Sequence, residues 1–365
     1  MSDGDKKLEQ AQARIRSDIR EMPAYHVQPS AGMVKLDVME NPYRLPAELQ
    51  AKLGERLGQV AINRYPAERT LDLGWALARH AGMPAHCAVT LGNGSDEIIT
   101  MLSMAISQPA NLEQAVVLAP SPSFVMYELS SRYQHLRFES VPLTEDFELD
   151  EPAMLAAIDK HQPAAIYLAY PNNPTGGLWD WGTIERIVEA APGLVILDEA
   201  YQPFASRNAM SLLDVHPHVL VMRTMSKFGL AGVRIGYLMG EQSLIQEIDK
   251  LRPPFNVGVL NAEAALFALE YAEVYAAQAA ELRSQRDMLT AELSALPLVR
   301  VFPSQGNMLL VRVPDANATF KRMKERGVLI KNVSAGHPRL LNCLRITVGT
   351  PIENQAMLKA FKESL

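Results

Sequence analysis

At 365 residues the chain is too long for one simple core, so two domains are expected. Its 48% apolar content is ordinary for a globular protein, no uninterrupted apolar run is long enough to cross a membrane, and a formal charge of -6 argues against nucleic acid as the main partner. Cys87 and Cys343 are far apart and form neither a disulfide framework nor a metal signature, which fits a reducing compartment.

Residues 1 to roughly 30 read as a charged arm, with one helix over Leu8 to Arg20 and a loop around Pro23 and Pro29. The first twenty residues lack the apolar run of a signal peptide, so a cytoplasmic protein is expected, with no membrane partner. Lys35 to Tyr43 is a short apolar piece closed by an Asn-Pro turn. Leu45 to Leu57 and Leu71 to Ala81 read as helices, separated by the break at Asn63-Arg-Tyr-Pro66. Then the pattern alternates. Short apolar strands are expected at 88–91, 116–119, 164–169, 194–197, 219–222 and 235–239, with helices to Ile106 and over Trp181 to Ala191. Strands without polar alternation, separated by helices, indicate a mostly parallel sheet covered on both faces. Residues 260–295 read as one long helical region, since Gly and Pro are absent between Val259 and Leu296. The remainder reads as a small α+β unit: strands at 299–302, 308–313, 328–330 and 343–348, with helices at 318–326 and 352–364.

In parallel α/β sheets ligands sit beyond the carboxyl ends of the strands, and the polar residues of this chain collect there. Lys227 follows the strand at 219–222. A lysine so placed is poorly suited to be a solvated charge, whereas partial desolvation lowers an amine's pKa and makes it a nucleophile. Lys227 is therefore expected to hold pyridoxal 5'-phosphate as a Schiff base. The ring nitrogen of that cofactor must stay protonated, which a buried carboxylate achieves. Asp198, after four apolar residues, is the candidate, and an N-cap or a structural ion pair is its other reading. Tyr201 and Asn173 are candidates to hydrogen-bond the ring's phenolic oxygen. Asn173, in Pro-Asn-Asn-Pro-Thr-Gly, also reads as a plain turn residue. Ser95 and Asp96 begin a helix, where free N–H groups bind anions, although Asp96 equally suits the first turn as a charge. Thr224, Ser226 and Arg234 add hydroxyls and a guanidinium for the phosphate. Phe124 is placed to stack on the ring or simply to pack. Once free, Lys227 serves as the base and acid that moves a proton between the substrate Cα and the cofactor C4′, which is transamination.

Pro171-Asn-Asn-Pro-Thr-Gly176, Asp198-Glu-Ala-Tyr201 and Thr224-Met-Ser-Lys227 with a downstream Gly-x-Arg234 resemble the fold-type I, aspartate-aminotransferase-like enzymes, in order and over nearly the whole chain. Leu36-Asp-Val-Met-Glu-Asn-Pro-Tyr43, Asn63-Arg-Tyr-Pro66, Gly92-Asn-Gly-Ser-Asp-Glu-Ile-Ile99 and Cys343-Leu-Arg-Ile-Thr-Val-Gly349 resemble the histidinol-phosphate aminotransferases within them. The resemblance implies an α/β fold: a large pyridoxal-phosphate-binding domain over 46–270, with a mostly parallel sheet between helices, and a smaller α+β domain over 271–365. Residues 1–45 are implied to form an arm and part of the smaller domain. It implies transamination between L-histidinol phosphate and 2-oxoglutarate, giving imidazole acetol phosphate and L-glutamate, in histidine biosynthesis. Lys227, Asp198 and Tyr201 are the implied catalytic residues. Ser95, Asp96, Phe124, Asn173, Thr224, Ser226 and Arg234 complete the implied cofactor site. Tyr65 is implied to reach the phosphate from the other subunit of a homodimer. Arg345, with Lys331 where the family often carries arginine, is implied to bind the anionic end of the substrate. Asn41 occupies a position where some members place a substrate-binding tyrosine. No metal is implied. The spacing from Lys227 to Arg234 is one residue shorter than in many members, and Gly229 and Gly232 are expected to allow the tighter turn.

Two readings from other classes compete. Val195-Ile-Leu-Asp-Glu-Ala200 resembles the acidic strand of a nucleotide hydrolase, but no Gly-Lys dipeptide occurs anywhere in the chain to supply its phosphate loop. A non-enzymatic cofactor-binding regulator is opposed by the lack of a DNA-binding segment at the N-terminus. Within the family, an aromatic amino acid aminotransferase or a threonine-phosphate decarboxylase-like enzyme would use the same cofactor residues.

Overall fold

The computed structural model describes residues 2–22, 28–66, 68–107 and 114–365. They fall into two compact units, 1–32 and 33–365. In the first, Ser2 caps a helix over Asp3–Gln12 through a reciprocal bond with Asp5, and a second short helix covers Ser17–Glu21. The single helix expected over 8–20 is thus two. Of the expected loop, Pro23 lies outside the described residues.

Among its described residues the second unit holds thirteen strands: Val34–Lys35 (β1), Cys87–Gly92 (β2), Val116–Ser121 (β3), Arg137–Pro142 (β4), Ala165–Ala169 (β5), Leu194–Asp198 (β6), Val219–Thr224 (β7), Gly236–Glu241 (β8), Arg300–Val301 (β9), Met308–Arg312 (β10), Val328–Leu329 (β11), Lys331–Asn332 (β12) and Cys343–Thr347 (β13). Seven of them form one sheet in the order β2-β8-β7-β6-β5-β3-β4. Neighbours are parallel except at β8, which runs antiparallel to both β2 and β7. The apolar strands are continuous because both faces are buried, yet their side chains still alternate. Ile166, Leu168, Val195, Leu197, Val219 and Val221 pack on one face with the helices over 69–81, 151–161 and 181–190. Ala165, Tyr167, Ile196, Leu220 and Met222 pack on the other with the helices over 95–106, 126–133 and 242–249. This is the mostly parallel, two-faced sheet expected from the sequence.

A smaller sheet, β12-β13-β10-β9, is antiparallel and packs through Met308, Leu309, Leu344 and Ile346 against the helices over 272–294, 316–325 and 351–362. The long helix expected over 260–295 is broken at Tyr271, where φ is -117° and ψ 38°. Its first half packs on the helix over 69–81 and its second on the helix over 351–362. Two different packing directions override uniform helix propensity.

Candidate active site

Register places the chemistry. Thr224 of β7 and Gly92 of β2 both pair with Gly236 of β8, Asp198 pairs with Met222, and Ala169 pairs with Asp198. The carboxyl ends of β2, β5, β6 and β7 therefore lie in one row. A cavity of about 360 Å³ opens along it, and Ser95, Asp96, Phe124, Asn173, Asp198, Tyr201, Thr224, Ser226, Lys227 and Arg234 line it.

Lys227 sits in the helical turn Ser226–Leu230 that follows β7. Its half-buried side chain lines the cavity. Nζ donates to the Val38 carbonyl at 2.9 Å and lies 5.9 Å from the centre of the Tyr201 ring. Burial, reinforced by Arg345, pushes its pKa down to about 8; Arg234 acts in the same sense, while Glu40 and Asp96 oppose.

Asp198 ends β6 and is buried. It accepts from the Tyr127 hydroxyl at 2.6 Å and from the Ala200 N–H at 3.1 Å. Burial drives its pKa up to about 6; the two hydrogen bonds oppose this, and Asp96 and Glu199 add to it. The adjacent carboxylate, Glu199, is also buried, but Arg223 Nε donates to it at 2.8 Å. No cationic side chain pairs with Asp198 among the described residues. An ionised Asp198 thus calls for a cation brought by a ligand, and the structural-ion-pair reading applies to Glu199 instead.

Beside this pair is a cradle for an anion. Gly94, at φ 82°, leads into the helix that starts at Ser95, and no side chain caps that helix. Arg234 Nη1 donates to Ser226 Oγ at 3.2 Å, its Nη2 lies 3.6 Å from Asp96 Oδ2, and Thr224 Oγ1 lies 3.0 Å from Ser226 Oγ. A Cβ at Gly94 would overlap the Arg234 guanidinium. One at Gly236 would strike the backbone of Gly94 and Ser95 at 2.5 to 2.6 Å. Gly236 is thus needed for close approach and Gly94 for its positive φ. The tight turn before Arg234 is built differently from expectation. Gly229 supplies a positive φ of 143°, Gly232 does not, and Arg234 itself is left-handed at φ 56°.

The four remaining expected residues lie outside the cavity wall. Arg345, buried in β13, donates from Nη1 to Asn173 Oδ1 at 2.6 Å and from Nη2 to the Asp37 carbonyl at 2.7 Å. The Asn173 amide is thereby oriented with its NH₂ as the remaining donor. Lys331 of β12 is the register partner of Arg345. Asn41 donates to Gln278 Oε1 at 2.9 Å and to the Phe228 carbonyl at 3.4 Å, and it lines a neighbouring cavity. Tyr65 is 76% exposed and stacks on Phe255 with ring centres 4.4 Å apart.

Sequence reasoning missed Tyr127, Val38 and Glu40. Tyr127 lies in a stretch to which the sequence assigned no element, and only the fold brings its hydroxyl to Asp198. Val38 acts through its carbonyl, which no side-chain pattern reports. Together the donor set fits a flat aromatic aldehyde with a phosphate arm and a protonatable ring nitrogen, which is pyridoxal phosphate: a half-buried lysine, a carboxylate without a cation, an amide donor and an anion cradle.

Residues 31–361 match the family model for aminotransferase class I and II. A histidinol-phosphate aminotransferase of Methylibium petroleiphilum is 62% identical over 95% of this chain and 94% of its own. One of Paracidovorax citrulli is 58% identical over 98% and 99%. Among solved structures, the histidinol-phosphate aminotransferase of Sinorhizobium meliloti, in complex with pyridoxal-5'-phosphate, superimposes with a TM-score of 0.84 at 25% identity, covering 96% of this chain and 97% of that one. With a lysine, a carboxylate and an anion cradle gathered at the strand ends, and relatives matching it almost end to end, this chain belongs to the class I and II aminotransferases.

Proposed function

We propose that the protein uses pyridoxal 5'-phosphate to move an amino group between L-histidinol phosphate and 2-oxoglutarate, a step of histidine biosynthesis. The observation that carries the chemistry is the pairing in one cavity of an amine held near pKa 8 with a buried carboxylate that lacks a cationic partner. The names of relatives 54–62% identical over nearly their whole lengths support the substrate. When bound, the cofactor supplies an electron sink for negative charge at the substrate Cα.

Each residue then has a defined task. Asp198, held by the Tyr127 hydroxyl, would keep the ring nitrogen protonated. Tyr201 and the Asn173 NH₂ would serve as donors to the phenolic oxygen, with Phe124 beside the ring. Ser95, Asp96 through its N–H, Thr224, Ser226 and Arg234 would hold the phosphate. Lys227 would act as the base and acid that takes the proton from the substrate Cα and gives it back. Arg345 and Lys331 receive the anionic end of the substrate, and Asn41 contributes to substrate binding from the neighbouring cavity. The active form is a homodimer in which Tyr65 crosses to the partner's phosphate site. Its exposure supports this, as does that of Ile62, Leu71, Trp75 and Leu260. Residues 46–270 and 271–365 act as the large and small domains, with 1–45 shared between the arm and the small domain. A cytoplasmic location accords with two free thiols, Cys87 and Cys343. No helix among the described residues is long and apolar enough to cross a membrane.

The test is a comparison of initial rates with histidinol phosphate, phenylalanine and threonine phosphate as donors and 2-oxoglutarate as acceptor. Histidinol phosphate should be fastest by a wide margin. A large advantage for phenylalanine would refute the substrate.

A further inference from the structure

Glu40 stands in a wall shared by two cavities. The reaction cavity and a second, polar cavity of about 340 Å³ have Glu40, Ala231 and Gly232 in common. The segment carrying Glu40 is fastened on both sides. Met39 is left-handed at φ 55°, its N–H donates to Thr347 Oγ1 at 3.0 Å, and its carbonyl accepts from Asn307 Nδ2 at 3.1 Å. On the other side Asn41 is tied to Gln278 at 2.9 Å. A backbone held this way aims the carboxylate at little entropic cost to a ligand.

Position and charge decide what the carboxylate recognises. Val38, whose carbonyl accepts from Lys227 Nζ, and Glu40 line the same cavity, with Cα atoms at most about 7 Å apart along the chain. A substrate amine at Lys227 therefore lies near Glu40, which is close enough to act on the charge of Lys227. The cations Arg234 and Arg345 lie by the phosphate cradle and Asn173. Around Glu40 one cation is shared by two carboxylates: Lys35 Nζ is 2.5 Å from Glu40 Oε2 and 3.2 Å from Asp37 Oδ1. Glu40 is half-exposed (50%), and Lys35 engages only Oε2.

From this placement we infer that Glu40 is a specificity-determining residue. Its free Oε1 accepts a hydrogen bond from the N–H of a basic heteroaromatic ring on the amino donor, such as the imidazole of histidinol phosphate. A phenyl ring or a methyl group there offers Oε1 no donor and displaces the water that solvates it, so aromatic amino acids and threonine phosphate are disfavoured. The inference rests on the histidinol phosphate reading.

Glu40→Gln keeps the shape and removes the charged acceptor. The measurement is the ratio of kcat/KM for histidinol phosphate to kcat/KM for phenylalanine, in the parent enzyme and in the variant. The ratio should fall at least about tenfold; any smaller fall overturns the inference, including an equal loss on both donors. Calorimetric titration of histidinol phosphate into cofactor-loaded Lys227→Ala, with and without Glu40→Gln, should show a loss of affinity of the same order without turnover, and equal affinities would also overturn it. If the parent enzyme prefers phenylalanine, the substrate reading itself fails. If it prefers histidinol phosphate and the variant keeps the ratio, only the assignment of Glu40 is wrong.

Discussion

Lys227 is useful because it is partly deprotonated where an ordinary lysine is not. An amine whose pKa is lowered to about 8 is neutral above that pH and progressively charged below it. At pH 7.5 about one such amine in four is neutral, against about one in a thousand for an unshifted lysine. The rate at which cofactor-free protein captures pyridoxal phosphate, followed by absorbance, should therefore rise with pH and level off with a midpoint near 8. A midpoint near 10.5, the ordinary lysine value, would mean that burial does not govern the amine. Lys227→Ala should retain cofactor, lose the borohydride-trappable link and lose on the order of 10⁴ in rate. Asp198→Asn should lose on the order of 100-fold or more while keeping its fold. Tyr127→Phe, which removes only the 2.6 Å bond to Asp198, should lose about tenfold. A Tyr127→Phe enzyme as slow as Asp198→Asn would show that the hydroxyl does more than hold the carboxylate. The contrast marks the limit of what the sequence reveals. Asp198 and Lys227 stand out because charged residues ending apolar runs need an explanation. Tyr127, 71 positions from its partner, carries no such local sign.

The row of strand ends is the element that turns these residues into a site, and two glycines let it close. Gly236→Ala would drive a Cβ against Gly94 and Ser95, displacing the helix start that forms the anion cradle. It should cost about 1–3 kcal/mol in stability and about tenfold in cofactor affinity. Thermal melts, and cofactor titration at a temperature where the variant is folded, separate the two effects. Unchanged cofactor affinity would show that the cradle tolerates the shift. The strands that build this row were legible because burial on both faces leaves continuous apolar runs. β4 was not, because it lies at the sheet edge and Arg137, Glu139 and Ser140 interrupt its apolar residues. The reversed direction of β8 was not either, since direction depends on how the chain returns and not on the strand's own composition. The break at Tyr271 was hidden for a similar reason: its cause is the packing of two helix halves on different partners.

At the scale of the whole molecule, exposed apolar residues outside the cavity wall need a purpose. Tyr65 is exposed and stacks on Phe255, which is itself 49% exposed, and the helix over 69–81 shows Leu71 and Trp75 to solvent at 65% and 68%. Large apolar side chains left in water favour covering by a second surface. In an isologous dimer the same patch meets its own copy, so each subunit can lend a side chain to the other's site. If Tyr65 acts across the interface, Tyr65→Ala and Lys227→Ala damage different subunits of any one site. A mixed dimer then holds one site with both residues intact and one with neither. Denaturing and refolding an equal mixture of the two inactive variants should restore about a quarter of parental activity, because about half of the dimers are mixed and each has one intact site. A Tyr65 acting within its own subunit predicts no recovery, since every Lys227-bearing site would then lack its tyrosine. Sedimentation of the parent protein must also give a dimer at assay concentration, because a monomer with full activity rules out any crossing residue.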